Sequence, residues 1–264
     1  AGHLAPKGGD TGPRGNTRGG ALSRIGARMT NPRSIVILTG AGISAESGIQ
    51  TFRTPDGNGP SLWGEHDVED VATPHGYRRD PQLVEEFYEA RRRDVAAAEP
   101  NPAHVALARL AEAYGDDLLV VTQNVDDLHE RGGLPEANLI HMHGKLKTAL
   151  CPGCGEREDG GVFGAKCSTC HIGVLRPDVV WFGEQPYEMG RIERAVQNAG
   201  MFVAIGTSGD VYPAAGLVDH ARLAGVSTME LNLAPTTGNF DAVMSGPATV
   251  TVPLFVDGAI AARA

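Results

Sequence analysis

An apolar run that ends in a pair of glycines is the feature that most constrains the fold. The run Ser34-Ile-Val-Ile-Leu-Thr39 is typical of a buried strand, and it continues directly into Gly40-Ala41-Gly42-Ile43-Ser44-Ala45. Glycines at this spacing permit a tight turn and let backbone N–H groups approach a pyrophosphate at the start of a following helix. The same glycines also occur in strand-to-helix turns that serve packing alone, so this pattern leaves both interpretations open.

Further short apolar runs recur along the chain and alternate with helix-like segments at 102–114 and 190–199. This alternation predicts an α/β fold in which a Rossmann-like parallel sheet carries helices on both faces. The runs that we interpret as strands are Leu118 to Thr122, Val179 to Phe182, Met201 to Ile205, Thr228 to Leu233 and Thr249 to Val252.

Charge and the first residues limit partners and location. The 264-residue chain carries a formal net charge of -9, which disfavours a broad grip on nucleic-acid phosphates. The sequence contains neither a run long enough to cross a bilayer nor a secretory signal, so we expect a cytoplasmic protein without a membrane partner. Residues 1–33 are rich in Gly and Pro and predict a disordered leader or an artificial extension. If residues 1–28 are a transit peptide instead, the location would be mitochondrial.

Two cysteine pairs lie in a segment that is poor in apolar residues. Cys151-Pro-Gly-Cys154 and Cys167-Ser-Thr-Cys170 match the spacing of two zinc knuckles. Two disulfides and a thioredoxin-like redox pair are the competing interpretations, and both fit an intracellular, apolar-poor insertion less well. Four cysteine ligands would leave no open position on zinc, so we predict a structural metal.

Taken together, the ordered motifs resemble the sirtuin family over residues 34–255. The resemblance includes both cysteine pairs and His143-Gly144. The other motifs are Thr39-Gly-Ala-Gly-Ile-Ser44, Gly48-Ile49, Phe52-Arg53, Gln123-Asn-Val-Asp126, Gly206-Thr-Ser208 and Leu231-Asn232.

The resemblance implies an NAD-dependent protein-lysine deacylase. In this family the acyl-lysine carbonyl oxygen attacks the ribose carbon that bears nicotinamide, and NAD is consumed. His143 matches the catalytic histidine, and an imidazole with a pKa of about 6.5 suits a base near neutral pH. Considered without the surrounding motifs, an ordinary hydrogen-bonding histidine would be the favoured interpretation of His143.

The resemblance also assigns the NAD contacts, with Asn124 and Asp126 counted as catalytic as well. Read without the family, several of these positions are ordinary caps and turns at strand ends. One departure concerns Gln50-Thr51, because many sirtuins have Pro-Asp there. The predicted NAD contacts are Gly40, Ala41, Gly42, Ser44, Ala45, Glu46, Gly48, Ile49, Thr51, Phe52, Arg53, Gln123, Asn124, Asp126, Gly206, Thr207, Ser208, Asn232, Leu233 and Ala248.

Two segments resemble substrate-binding parts of the family. Tyr88 and Arg91 lie three residues apart on a predicted helix and resemble the subfamily that prefers succinyl or malonyl groups. The alternative is a solvated charged helix in which Glu89 and Arg93 form an ion pair. The apolar segment that would hold the peptide could equally be a plain buried strand; its residues are Val180, Trp181, Phe182, Gly183 and Glu184.

The predicted organisation is a Rossmann-like NAD-binding domain at 34–145 and 176–264, interrupted by a small zinc-binding insertion at 146–175. Part of the region 49–100 should pack with the insertion. We expect a monomer that acts on acyl-lysine proteins or peptides. Mono-ADP-ribosyl transfer and non-catalytic binding of NAD or acyl-lysine are the rival functions. A hydride-transfer dehydrogenase ranks last, because residues 51–59 form a polar loop where its second strand should follow.

Overall fold

The computed structural model describes residues 32–51 and 66–263. Nearly all of the predicted leader lies outside these residues, as do the predicted NAD contacts Phe52 and Arg53. Among the described helices, none is long and apolar enough to cross a membrane.

A six-stranded parallel sheet forms the centre of the described chain. Its strands are β1 (Ile35–Thr39), β2 (Leu118–Thr122), β3 (Leu139–His141), β7 (Met201–Ile205), β8 (Ser227–Asn232) and β9 (Ala242–Ser245). Their spatial order is β3-β2-β1-β7-β8-β9, so the strand that precedes the glycine turn lies in the middle. The carboxyl ends of β1, β2, β7 and β8 therefore meet at one edge.

Helices cover both faces of this sheet. The described helices are α1 (Val68–Val71), α2 (Pro74–Arg79), α3 (Pro81–Ala97), α4 (Pro102–Tyr114), α5 (Leu128–Arg131), α6 (Met189–Gln197), α7 (Leu217–Leu223) and α8 (Ala248–Arg263). On one face Val36 and Leu38 of β1 pack with helices α6 and α7, and on the other side α4 packs against α8. The fold class predicted from the alternating pattern is thus confirmed.

A second sheet has three antiparallel strands. They are β4 (Gly144–Leu150), β5 (Arg157–Asp159) and β6 (Arg176–Val179), in the spatial order β5-β4-β6. Leu146 and Ala149 of β4 share an apolar cluster with Val84 and Phe87 of α3 and with Cys151. The helix that carries Tyr88 and Arg91 is therefore packed against β4 and the first cysteine that follows it.

Three local predictions were wrong. The run Thr249 to Val252 is part of α8, because its buried side chains recur at helical rather than alternating spacing. The run Val179 to Phe182 mostly follows β6, which ends at Val179. The glycine turn leads into two short 3-10 turns, Ala41–Ile43 and Ala45–Ser47, instead of an α-helix.

Candidate active site and zinc centre

The glycine turn after β1 crosses the turn after β7 at very short distance. The backbone N–H of Gly42 donates to the Gly206 carbonyl at 2.8 Å. A Cβ on Gly42 would lie 2.7 Å from Gly206 Cα, so no other residue fits there without a backbone shift. Gly206 has a φ of 60°, in the left-handed region that favours glycine. Glycines at both positions therefore allow the turns after β1 and β7 to lie in direct backbone contact.

Ser44 is the centre of a buried hydrogen-bond network behind this turn. Its Oγ donates to Oδ2 of Asp126 at 3.1 Å and accepts from Nδ2 of Asn124 at 3.1 Å. A third partner is Nε2 of His104, 3.4 Å away. Ser44 and His104 are fully buried, and Asn124 and Asp126 are nearly so. The structure therefore brings three predicted site residues together.

Burial dominates the electrostatics of Asp126. It raises the pKa of this carboxyl to about 6, although hydrogen bonds from the Leu128 amide and from Ser44 lower it. The amide of Leu128 reaches Oδ1 at 3.1 Å. Hydrogen bonds thus fix both carboxylate oxygens of Asp126.

His143 lies at the same sheet edge and is half-buried. Its Nδ1 is 3.1 Å from the carbonyl oxygen of Gln123, and only a protonated Nδ1 can donate to a carbonyl. The neutral ring therefore keeps its lone pair on Nε2. Burial lowers the pKa of His143, which favours this neutral form. A neutral imidazole with an available lone pair can accept a proton.

The neighbouring His141 has a different environment. Its Nδ1 is 3.2 Å from the Asn124 carbonyl oxygen and its Nε2 is 2.9 Å from Oε1 of Glu130. Hydrogen bonds engage both ring nitrogens, so His141 supports the loop and holds no lone pair for a reaction.

Polar side chains at the ends of three strands are joined by hydrogen bonds. Nε2 of Gln123 donates to Oγ1 of Thr207 at 3.0 Å, and Nδ2 of Asn232 donates to the Thr207 carbonyl at 2.8 Å. The predicted contacts after β2, β7 and β8 therefore lie side by side. Ser208 and Leu233 at this edge are exposed.

Glu46 binds the first turn of the last helix. Its carboxylate accepts from the Thr249 amide at 2.9 Å and from the Thr249 hydroxyl at 2.6 Å. Carboxylates stabilise helix N-termini through the exposed N–H groups there. Ala248, in the same turn, is buried. Ala45 and Gly48 are exposed, and Ala41, Ile49 and Thr51 are half-buried.

The segment after β6 is bound by backbone hydrogen bonds to two neighbours. The Val180 amide donates to the carbonyl of His143, and the Phe182 amide donates to that of Ala72, both at 2.9 Å. Phe182 is 52% exposed, and Gly183 beside it is exposed as well. The segment thus connects directly to His143 and presents an aromatic side chain to solvent.

Trp181 and Glu184 in this segment have structural partners. The indole Nε1 of Trp181 donates to the hydroxyl of Tyr88 at 3.1 Å. The guanidinium of Arg176 lies over the Trp181 ring, 4.0 Å from its centroid, and is paired with Glu184. Glu184 also accepts from the Trp181 amide at 2.9 Å. A largely buried ion pair therefore holds the indole in place.

Tyr88 and Arg91 have different surroundings on α3. Tyr88 is buried, whereas Arg91 is half-buried, with its Nε 3.0 Å from Oδ2 of Asp94. Glu89 pairs with Arg92 rather than with Arg93, so the expected charge pair on this helix was wrong in its partner.

The four cysteines form one cluster. The Sγ atoms of Cys151 and Cys170 are 3.7 Å apart, as are those of Cys154 and Cys167, and all four lie within 4.8 Å of one another. Tetrahedral zinc with Zn–S bonds of about 2.3 Å needs sulfur separations of roughly 3.8 Å, whereas a disulfide needs about 2.05 Å. The donor set fits zinc, and none of the four forms a disulfide.

The backbone around the cluster is also adapted to it. The Gly173 amide lies 3.3 Å from Cys170 Sγ, and a Cβ on Gly173 would lie too close to Cys151 Sγ, at 2.3 Å. Amide donors to sulfur stabilise thiolates. These contacts explain why a glycine occupies this position.

Sequence reasoning did not identify His104 or His129. Nε2 of His129 lies 3.0 Å from Oγ1 of Thr39, and the two imidazole rings meet edge to face with centroids 5.1 Å apart. His104 is preceded by Asn101-Pro102, a typical start of a helix. That signal predicts a cap and gives no indication that the ring reaches Ser44.

The comparisons with known proteins agree with this geometry. The model of a family described as "Sir2 family" matches residues 40–213. An "NAD-dependent protein deacylase" of Salmonella typhimurium is 53% identical over 237 residues, which cover 87% of this chain and 84% of the relative.

Two solved structures share the fold. A complex of a Sir2 homologue with NAD is 35% identical, has a TM-score of 0.80, and matches over 92% of this chain and 95% of that one. A Sir2 structure with a deacetylated p53 peptide and 3'-O-acetyl-ADP-ribose is 26% identical, has a TM-score of 0.73, and matches over 91% and 97%. The family predicted from the ordered motifs is confirmed, and the chain belongs to the Sir2 family.

Proposed function

We propose that the chain transfers an acyl group from a lysine side chain to the ADP-ribose part of NAD, and that succinyl and malonyl groups are accepted as well as acetyl. The chain is an NAD-dependent protein deacylase. One observation carries the site assignment: the buried network of Ser44, Asn124 and Asp126 lies at the same sheet edge as His143, whose Nε2 keeps its lone pair.

The glycine turns after β1 and β7, together with the polar side chains at the ends of β2, β7 and β8, would hold NAD. Gly42 and Gly206 allow the turns after β1 and β7 to lie in backbone contact, and Thr207 and Asn232 provide polar groups beside them. Asn124 and Asp126 would position the nicotinamide-bearing ribose. NAD, when bound, supplies ADP-ribose as the acyl acceptor and releases nicotinamide.

His143 would act as the general base. Because its Nδ1–H donates to the Gln123 carbonyl, the ring orientation is fixed and Nε2 can take a proton from a ribose hydroxyl. The lowered pKa keeps the ring neutral at physiological pH.

The four cysteines would hold one structural zinc. A complete set of thiolates leaves no position for a substrate, so the ion would stabilise the small sheet. We also propose a division into two domains, in which residues 34–145 and 176–264 form the NAD-binding domain and residues 146–175 form the zinc insertion. The apolar cluster that joins β4 to α3 supports the packing of part of region 49–100 with the insertion.

The acyl preference is proposed from Tyr88 and Arg91. Tyr88 accepts from Trp181, so its own hydroxyl proton remains for donation to an acyl carboxylate. The Arg91 guanidinium would pair with the same carboxylate by exchanging Asp94 for it. Val180, Trp181, Phe182, Gly183 and Glu184 would lie along the peptide.

The test compares nicotinamide release from acetyl-lysine and succinyl-lysine versions of one peptide. Arg91→Met should lower succinyl turnover about tenfold or more and spare acetyl turnover, because a charge-assisted pair is lost only with the acidic acyl group. Arg93→Met is the matched control, since Arg93 is exposed on the same helix. An equal loss of turnover on both peptides would contradict the proposed pairing of Arg91 with the acyl carboxylate.

The same assay, carried out with labelled NAD, separates the rival functions. Mono-ADP-ribosyl transfer would place label from NAD on a protein acceptor, and a binding module would release no nicotinamide. Acyl-lysine proteins are the substrates that family membership implies. A cytoplasmic location, a monomeric state and the lack of a nucleic-acid partner stay predictions.

A further inference from the structure

Glu230 on β8 is a buried carboxylate that the proposed mechanism does not use. Its side chain lies in the interior, and the residue is only 1% exposed. Oε1 and Oε2 accept from the backbone amide of Thr236 at 3.1 and 3.2 Å. A second donor, Nδ2 of Asn232, is 3.5 Å from Oε1. Because a buried carboxylate must exchange water for hydrogen-bond donors of the protein, these two groups fix its position.

Glu230 and Thr228 anchor the connection from β8 to β9, residues 233–241, at two different points. The two side chains lie on one face of β8, because strand residues two apart share a face. The amide and the hydroxyl of Thr228 donate to Oδ2 of Asp241 at 2.9 and 3.1 Å, at the far end of the connection. Glu230 instead holds Thr236, nearer to the carboxyl end of the strand.

The contact with Glu230 also defines the orientation of the Asn232 amide. Nδ2 donates to the Thr207 carbonyl at 2.8 Å and lies beside Glu230 Oε1, so both of its protons face acceptors. The amide oxygen Oδ1 is therefore on the other side, where it accepts from the Leu233 amide at 3.0 Å. An amide oxygen has two lone pairs, so Oδ1 can accept one further hydrogen bond from a ligand hydroxyl.

The sheet order indicates which half of NAD would meet these groups. Strands β7 and β8 lie on one side of β1, and β2 and β3 lie on the other. The proposed base His143 follows β3. A dinucleotide with its reactive ribose at His143 and its diphosphate at the end of β1 would place its adenosine at the ends of β7 and β8.

We propose that Glu230 is a positioning residue for the adenosine half of NAD: its carboxylate holds the loop after β8 through the Thr236 amide and keeps Oδ1 of Asn232 directed at the ligand. This inference rests on the proposed function, because that function places NAD at this edge of the sheet. Glu230 itself touches no substrate.

Three substitutions separate this role from general support of the fold. Glu230→Met has a similar length and provides no oxygen acceptor. Glu230→Gln keeps one oxygen for the Thr236 amide, but its second polar atom is a donor and cannot accept from Asn232. Thr228→Val is the matched control, because it removes the hydroxyl that binds Asp241 on the same face of the same strand.

Steady-state kinetics should show an effect confined to NAD. We expect Glu230→Met to raise the KM for NAD about tenfold and Glu230→Gln about threefold, as expected for lost hydrogen bonds to a charged group. The kcat at saturating NAD and the KM for the peptide should stay within about twofold of wild type. Thr228→Val should lower the melting temperature and leave the KM for NAD within about twofold. An equal rise of that KM in Thr228→Val and Glu230→Met would overturn the proposal.

Binding of half-molecules to the full zinc-loaded chain gives an independent test by calorimetry. Glu230→Met should weaken ADP binding about tenfold and change the affinity for nicotinamide mononucleotide less than about twofold. Equal weakening of both ligands, unchanged ADP affinity, or no ADP binding by the wild type would overturn the inference. Nicotinamide release by the wild type tests the proposed function separately: ADP binding without turnover would refute that function and leave this comparison intact.

Discussion

The zinc centre and the polar network at the sheet edge are built in opposite ways. The outermost cysteine ligands, Cys151 and Cys170, are 19 positions apart. In the network, Ser44 meets His104 across 60 positions and Asp126 across 82. The cysteine cluster is defined by one short segment, whereas the polar network exists only after the segments that follow separate strands have been brought together. A substitution in the cysteine cluster should therefore unfold the surrounding segment, whereas a substitution in the polar network should change the site and leave the fold in place.

The largest expected effect is removal of zinc. Chelation or Cys154→Ser should open β4–β6, because a structural zinc site contributes about 10 kcal/mol in small zinc modules. Hydrogen exchange should rise in peptides covering 144–179 and change little in those covering 201–232. Restored protection after zinc is added back is the control. An equal rise of hydrogen exchange in both sheets would show that the zinc centre and the large sheet do not unfold independently.

His143→Ala tests the other region. Loss of a general base should lower kcat by about 100- to 10,000-fold, since the rest of the site remains in place. Zinc content, melting temperature and ADP-ribose affinity should be unchanged. His220→Ala, on α7, is the matched control. Retention of more than a tenth of wild-type turnover would remove the base assignment.

The acid side of the pH profile reports on the buried carboxylate. Asp126 has a pKa raised by burial to about 6, so it takes up a proton as the pH falls through 6. Burial lowers the pKa of His143, which moves the protonation of its ring towards lower pH. Wild-type kcat/KM should therefore be level from pH 8 to 7 and fall below about 6. The Asp126→Asn variant should have a lower kcat/KM at all pH values, and its kcat/KM should decline at a lower pH than that of the wild type. If the midpoint of the decline is unchanged, the decline belongs to another titrating group.

The smallest effect expected is that of Glu46→Gln, which removes one charge from the N-terminus of α8. We expect a loss of about 1 kcal/mol in the free energy of unfolding and a Tm lower by about 2–4 °C. Exposed Glu112→Gln on α4 is the control. A change in ADP-ribose affinity without a change in Tm would instead favour the predicted NAD contact of Glu46.

Much of the fold could be predicted because its signals are local. The strand Met201–Ile205 and the helix Pro102–Tyr114 have the bounds expected from the apolar pattern, and the cysteine spacing alone predicted the metal cluster. The start of α8 was mistaken for a strand because Thr and Val are β-branched. Its buried positions, from Ala248 to Ala259, nevertheless recur at helical spacing.

The missing parts of the site depend on tertiary distance. Nothing near His104 in the sequence indicates that its ring reaches Ser44, since that contact requires α4 to pack beside the turn after β1. The pairing of Arg176 with Glu184 beside Trp181 joins residues only eight positions apart, but this spacing matches no regular helix or strand contact. The spacing of residues in the sequence does not indicate which side chains orient other side chains.

The hydrogen bonds between Glu46 and Thr249 have a consequence for synthesis on the ribosome. The two residues are 203 positions apart, so at translation rates of about 5–20 residues per second the partner of Glu46 is made roughly 10–40 s later. The nascent chain carries its first strand and glycine turn throughout this interval without the helix that anchors the adjoining loop. A ribosome that stalls before α8 would leave a chain in which the loop that carries Glu46 lacks this anchor.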